Sequence, residues 1–239
     1  MAVNRSLRQK VDHWLDRAGR LLLPPRCLLC HEAGAEGRDL CSACAQPLQP
    51  YPACRQCALP LPEPAPACGR CLRHPPPYTH TLALGMYAFP LDRLLPRFKF
   101  HADLAAGREL AHLLATAAHH AERPQALVPV PLHPQRLRER GYNQALELAR
   151  PVARTLDLPL LPHALQRLRA TAAQSQLSAT ARRRNVRGAF AASTHAALPA
   201  HVALIDDVMT TGATLAECSR VLLRAGAQRV DLWVVARAP

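Results

Sequence analysis

The chain has 239 residues, 49% of them apolar and 4% aromatic, with a formal charge of +13. That length holds a metal-stapled module plus one α/β domain with a core of its own. No apolar run reaches the roughly 18 residues that cross a bilayer, so no stable membrane span is expected. The charge excludes an acidic or balanced surface. It comes from 28 arginines against two lysines, which reads partly as a coding preference and partly as affinity for polyanions.

Residues 5–22 have helical periodicity, with Leu7, Val11, Trp14, Leu15, Ala18 and Leu22 on one face and basic residues opposite. Docking on the protein is favoured for this N-terminal segment (residues 1–24) over a membrane-surface role. Pro24 and Pro25 stop it. With neither a signal-peptide apolar run nor a cleavage site, the cytoplasm is the expected location.

Eight of the nine cysteines fall in CxxC pairs: Cys27/Cys30, Cys41/Cys44, Cys54/Cys57 and Cys68/Cys71. The second four repeat the first with an offset of 27 residues. Each CxxC turn places two thiolates on one side of a metal, and a second turn completes a tetrahedral S₄ shell. Two closed structural Zn²⁺ sites are therefore expected in a double zinc-ribbon domain over residues 25–77, in preference to disulfides or an iron–sulfur cluster. Sequential pairing follows the repeat most simply, and a cross-braced pairing also satisfies the spacing. Filling both sites lowers the formal charge to about +9. The Pro-, Cys- and Gly-rich composition of this segment cannot build a core, so metal would supply its folding energy.

From Thr79 onward apolar periodicity resumes. Thr81 to Phe89 reads as a strand, Leu91 to Phe100 and Leu104 to His120 as helices, and Ala126 to Leu132 as a short buried strand. Arg136, Arg138 and Arg140 then cluster before Gly141-Tyr142-Asn143-Gln144, which opens a helix running from Tyr142 to about Leu156. Guanidinium forks suit phosphate oxygens. Tyr142 reads equally as a base-stacking or a packing residue. Residues Arg167 to Phe190 have few large apolar side chains and read as a mobile loop or hood, with Arg182, Arg183, Arg184 and Arg187 around Asn185. That loop suits closure over an anionic ligand, solvent exposure, or contact with a nucleic-acid strand.

The most informative run is Val202 to Thr214, VALIDDVMTTGAT. It reads as an apolar strand, two carboxylates, a turn rich in hydroxyls, and the start of a helix extending to Ala225. Turn amides and a helix N-terminus converge on an anion. Thr210, Thr211 and Thr214 add hydroxyls, and Gly212 permits positive φ. Asp206 and Asp207 stand at the carboxyl end of the strand, suited to ribose hydroxyls or Mg²⁺. A phosphorylated sugar fits. Cys218 reads as a small buried residue, Gly226 as a helix C-cap, and Arg229 to Val235 as the last strand. The alternation of strands and helices predicts an α/β fold: a mainly parallel sheet with helices on both faces, preceded by the small zinc-ribbon module with its four-cysteine sites.

Two acidic residues followed by TTGxT resemble the phosphoribosyl pyrophosphate (PRPP) loop of type I phosphoribosyltransferases. The resemblance implies that Asp206 and Asp207 hold the ribose hydroxyls while Thr210, Thr211, Gly212, Ala213 and Thr214 surround the 5′-phosphate. It places Val130, Pro131 and Leu132 in the pyrophosphate loop with Arg140 close by, and Arg184 of the hood among the PRPP-binding residues. The CxxC pairs, VPVPL, RGYNQ, the Gln174–Leu177–Arg184–Asn185 stretch and LIDDVMTTGAT together resemble the ComF family, in particular its GntX/ComFC members. Ala173 departs from that pattern, which commonly has a hydroxyl residue there. The resemblance implies a phosphoribosyltransferase-like domain (residues 78–239) that binds PRPP with Mg²⁺, and a role in natural competence or the use of extracellular DNA. Three functions follow: phosphoribosyl transfer, in which Asp206 and Asp207 are the catalytic pair; single-stranded DNA binding; or an adaptor for a DNA-uptake helicase or other competence protein.

Overall fold

The computed structural model describes residues 24–169, 186–193 and 198–238. The helix expected over residues 5–22, and Gln174, Leu177 and Arg182 to Asn185, lie outside them. The chain divides into two compact units, residues 1–47 and 48–239, so the boundary falls between the two cysteine groups.

The 27-residue repeat is structural as well as textual. In the first unit the Cys27 amide donates to Glu32 O and the His31 amide to Cys27 O, at 2.8 and 2.9 Å. In the second, Cys54 donates to Leu59 and Ala58 to Cys54, at 2.9 and 2.8 Å. His31 and Ala58 both take positive φ, 65° and 54°. Cys41 and Cys68 then cap two short helices, α1 (Ser42–Ala45) and α2 (Gly69–Arg73). Like residues at like spacing give like knuckles.

The sheet comprises β1 (Thr81–Met86), β2 (Ala126–Pro129), β5 (His201–Met209) and β6 (Arg229–Arg237), in the order β1–β6–β5–β2. All three pairings are parallel, with Val128 opposite Leu204 and Leu204 opposite Leu232. Near-continuous apolar runs in β5 and β6 suit strands covered on both faces. Even-numbered residues Val128, Val202, Leu204, Val230 and Leu232 share a core with Leu215, Cys218 and Leu222 of helix α7 (Ala213–Arg224). Strand residues alternate faces, so Leu127, Ala203, Ile205 and Trp233, all buried, meet the opposite layer. That layer holds α3 (Leu91–Phe100), α4 (Leu104–Ala118) and α6 (Gln144–Leu156).

Each helix follows from its apolar stripe. Leu91, Leu94, Leu95 and Phe98 bury one face of α3, and Leu148, Ala149, Val152 and Leu156 one face of α6. Asp103 caps α4 by accepting from the Ala106 amide at 3.0 Å. Cys218 is fully buried, and Gly226 follows the end of α7 with φ 111°.

Four features differ from expectation. β2 stops at Pro129, because prolines at 129 and 131 cannot donate to a ladder. The arginine cluster forms a short helix, α5 (Pro134–Arg140), capped by His133 and ended by Gly141 at φ 82°. The next helix starts at Gln144, since Asn143 is its cap. The segment expected as a loop from Arg167 contributes its ends to an antiparallel pair, β3 (Leu165–Arg167) with β4 (Phe190–Ala192).

At the amino ends of the strands, Asp231 accepts from the His80 amide (3.2 Å), His201 Nε2 (2.9 Å) and Arg229 Nη2 (2.8 Å). This buried carboxylate ties the starts of β1, β5 and β6 together, away from the functional end.

Candidate functional site

The eight CxxC cysteines form two groups, Cys27/Cys30/Cys41/Cys44 and Cys54/Cys57/Cys68/Cys71, each with its sulfurs within 4.8 Å of one another. Pairing is thus sequential, not cross-braced. Cys30–Cys41 and Cys57–Cys68 Sγ separations are 3.6 and 3.7 Å. A tetrahedron with Zn–S near 2.3 Å has edges of about 3.8 Å. Four soft thiolates at that spacing fit Zn²⁺ in both places, with no open position for a substrate.

A cavity of about 560 Å³ opens at the carboxyl ends of β2 and β5. Four of its walls come from separate parts of the chain: the β5–α7 turn, Pro131 and Leu132 after β2, Arg136 and Arg140 of α5, and the end of α3. Asp206, Asp207, Thr210, Gly212, Ala213 and Thr214 all line it. Thr211 instead faces a second cavity on the other side of the turn. Arg184 lies outside the described residues.

The two carboxylates differ although they are neighbours. Strand alternation sends them to opposite faces. Asp207, 7% exposed, meets Lys99 of α3 at 2.8 Å between Nζ and Oδ2, and its Oδ1 accepts the Val208 amide at 2.7 Å. Asp206 Oδ1 accepts the Asp207 amide at 2.9 Å. Loss of solvent, then repulsion by Asp207, pushes the Asp206 carboxyl up to about 7. Burial works against the Lys99 cation, but the Asp207 carboxylate prevails and raises its pKa. One carboxylate is thus committed to a cation, and the other is poised between acid and base near neutrality, able to meet a hydroxyl in either form.

The turn is built for close approach. Gly212 has φ 73°, and a Cβ there would meet Met209 Cε at 2.8 Å and the Tyr78 hydroxyl at 3.2 Å. A side chain at 212 is strained by the positive φ, and its Cβ would also make the Met209 side-chain end shift. Helix α7 starts directly after it, its N-terminus presented to the cavity.

Every residue of RGYNQ has a task. Arg140 reaches the cavity, held by Nη1 donation to Gln144 Oε1 at 2.8 Å and lying 5.8 Å from the Phe100 ring centroid. Gly141 ends α5. Tyr142 packs on Phe98, with ring centroids 5.6 Å apart, and its hydroxyl donates to the Phe98 carbonyl, so it serves packing rather than base stacking. Asn143 caps α6 through Oδ1 and, through Nδ2, donates to Val130 O at 3.1 Å, anchoring the loop after β2.

Lys99 and Arg167 escaped the sequence reading. Lys99 carried a usable signal: it is one of two lysines in a chain whose other cations are arginines. Arg167 lines the cavity, 5.4 Å from the Phe190 ring centroid. Lys99, Arg136, Arg140 and Arg167 set four cations against two carboxylates, a balance suited to a ligand bearing phosphates and hydroxyls.

Behind the turn lies the second cavity, about 540 Å³. Ala216, Glu217, Arg220 and Arg224, a stripe along α7, face Arg70 and His74 across it, with Arg187 at the rim. Among the described residues its one carboxylate, Glu217, is occupied by the Gly188 amide and by Arg220, each at 2.9 Å.

Two four-cysteine groups that fit Zn²⁺ and a parallel sheet with a glycine turn at its carboxyl end define a zinc-ribbon protein with an α/β domain. Residues 18–72 match the double zinc ribbon domain. The chain is 38% identical over 222 residues to competence protein F of Haemophilus influenzae, covering 89% of this chain and 97% of that one. It is 37% identical over 228 residues to the DNA utilization protein YhgH of Escherichia coli K12, covering 91% and 99%. Competence protein ComFC of Streptococcus pneumoniae is 28% identical over 155 residues, covering 65% and 67%. The chain belongs to the ComF family. Among the described residues no helix is long and apolar enough to cross a membrane.

Proposed function

We propose that the cavity at the carboxyl ends of β2 and β5 binds PRPP with Mg²⁺, and that the protein serves DNA uptake or the utilisation of external DNA, as the names of its relatives indicate for them. The observation that carries the PRPP reading is the placement of two unlike carboxylates beside a glycine turn and a helix N-terminus, opposite an arginine-bearing helix. In this reading the turn and α7 take the 5′-phosphate, Asp206 and Asp207 take the ribose hydroxyls, and Lys99, Arg140 and the loop at Pro131–Leu132 take the pyrophosphate. Asp206 and Asp207, the latter already paired with Lys99, would hold a Mg²⁺ that keeps several of its waters. The cation would supply charge neutralisation to the departing pyrophosphate.

Calorimetric titration of the zinc-loaded protein with PRPP and Mg²⁺ tests this. Heat is expected from the wild type and none from the Asp206→Ala, Asp207→Ala double variant. Equal affinity in both would remove the reading. Release of pyrophosphate in the presence of an acceptor would extend binding to phosphoribosyl transfer.

The second cavity favours a companion role. Its exposed arginines on α2, α7 and the Arg187 segment form a basic groove that fits the backbone of a single DNA strand. With so few aromatic residues, contact would be electrostatic rather than by base stacking. Each phosphate contact contributes a slope of about −0.7 to log K against log salt. An Arg187→Ala, Arg224→Ala variant should therefore flatten the slope by about 1.4 in an anisotropy titration of a labelled oligonucleotide. An equal change from Arg108→Ala, an exposed site on α4, would mean diffuse attraction instead.

A further inference from the structure

Among the described residues, Arg237 is the largest side chain that is fully buried, at 1% exposure. It ends β6 and makes four hydrogen bonds, all to carbonyls. The guanidinium donates to Cys57 O at 2.8 Å, Met209 O at 3.0 Å and Thr210 O at 2.6 Å, and also to Ala238 O. Among the described residues no carboxylate pairs with it. Carbonyl dipoles satisfy its N–H groups but leave its charge unbalanced, and an unbalanced buried charge is strongly destabilising. Among the described residues, its Nε bond to the Cys57 carbonyl joins it to the backbone of the second cysteine group, whose thiolates are a source of negative charge. Four thiolates around a divalent ion carry a formal charge of about −2.

A second link runs the same way. Arg70, between Cys68 and Cys71 in the chain, donates to Thr211 O at 3.2 Å. The carbonyls of three successive residues, Met209, Thr210 and Thr211, are thus held by arginines tied to the second cysteine group. A trans peptide points its C=O and N–H in opposite directions. Holding these carbonyls turns the amides of Thr210, Thr211 and Gly212 away from the guanidiniums, as an anion-binding turn requires.

We propose that the second metal–thiolate centre and Arg237 form one device that orients the phosphate turn, with Arg237 as a positioning residue and the metal centre as its counter-ion. The proposal rests on reading the turn as an anion site, and it makes metal retention at the second centre and anion affinity at the turn a coupled pair. Coupling of this kind is reciprocal. Saturating PRPP–Mg²⁺ should slow chelator extraction of one of the two zinc ions and leave the other unchanged.

The decisive variant is Arg237→Met in the full zinc-loaded chain. Amide exchange over Thr210 to Ala213 should accelerate about tenfold or more, and one zinc should be extracted faster by a similar factor. PRPP affinity should fall in proportion. Arg237→Lys restores the charge without the planar fork, so it should recover zinc retention but not protection of the turn. If Arg237→Met does not fold, Arg70→Ala, at an exposed position, should still raise exchange at Gly212. Unchanged exchange at the turn together with unchanged zinc extraction would overturn the proposal. Failure of PRPP to bind the wild type would remove the ligand reading alone, because exchange and extraction are measured without it.

Discussion

The two cysteine centres share their knuckle hydrogen bonds, their positive-φ residue and their short following helix, yet their surroundings differ. The first belongs to the unit of residues 1–47 and the second to the unit that also contains the sheet. Around the second, Arg237 and Arg70 connect cysteine-bearing backbone to the turn after β5. A repeated motif therefore specifies a repeated local geometry and no more than that. What each copy does depends on which side chains from distant sequence close around it.

The sharpest way to break this comparison is to unmake each centre in turn. Cys71→Ser should lower the melting temperature of the 48–239 unit by about 10 °C or more, since a structural metal site contributes its binding energy to folding. Cys44→Ser should leave that transition within about 2 °C while releasing one zinc. Calorimetry with metal analysis reads both, and equal shifts would erase the distinction.

A smaller effect concerns the ion pair in front of the turn. Lys99→Met leaves Asp207 buried without its cation and should cost about 1–3 kcal/mol in urea unfolding, less than for a fully buried pair because Lys99 keeps some solvent. An unchanged midpoint would show that Asp207 finds another partner.

Titration sharpens the contrast between the two carboxylates. Asp206 is raised from 3.8 to about 7, so its share of stability is full below the unfolded value and is lost as pH rises through about 7. Ligand binding through the ionised form runs the other way. Affinity for PRPP–Mg²⁺ should climb by up to about tenfold per pH unit below 7 and level off above it. A flat profile between about pH 6 and 8 would mean that Asp206 does not change charge at the site.

The smallest change tests the support of the loop after β2. Asn143→Ala removes a helix cap and the anchor on Val130, and should cost about 1 kcal/mol of stability. The same variant should loosen amide protection at the Pro131–Leu132 loop.

Much of this protein is legible in its sequence because the relevant physics is local. CxxC spacing dictates a thiolate pair, apolar stripes at helical spacing dictate α3, α4, α6 and α7, and an apolar strand leading into DDVMTTGAT dictates a strand, turn and helix. Those signals lie within a few residues of one another and need no knowledge of what packs against them. The α5 helix is not legible in this way, because a seven-residue helix with no buried side chain carries no periodic stripe. Nor is the β3–β4 pair, because three-residue strands depend on a partner some 25 positions away.

Only the tertiary structure decided how these pieces meet. It chose sequential over cross-braced cysteine pairing, brought Lys99 from α3 onto Asp207, turned Thr211 to the rear of the turn, and buried Arg237 between the second cysteine group and Thr210. Lys99 and Asp207 are 108 positions apart, Arg70 and Thr211 are 141 apart, and Cys57 and Arg237 are 180 apart. Their energies come from desolvation and charge pairing, which are properties of a shared environment and leave no periodic trace along the chain.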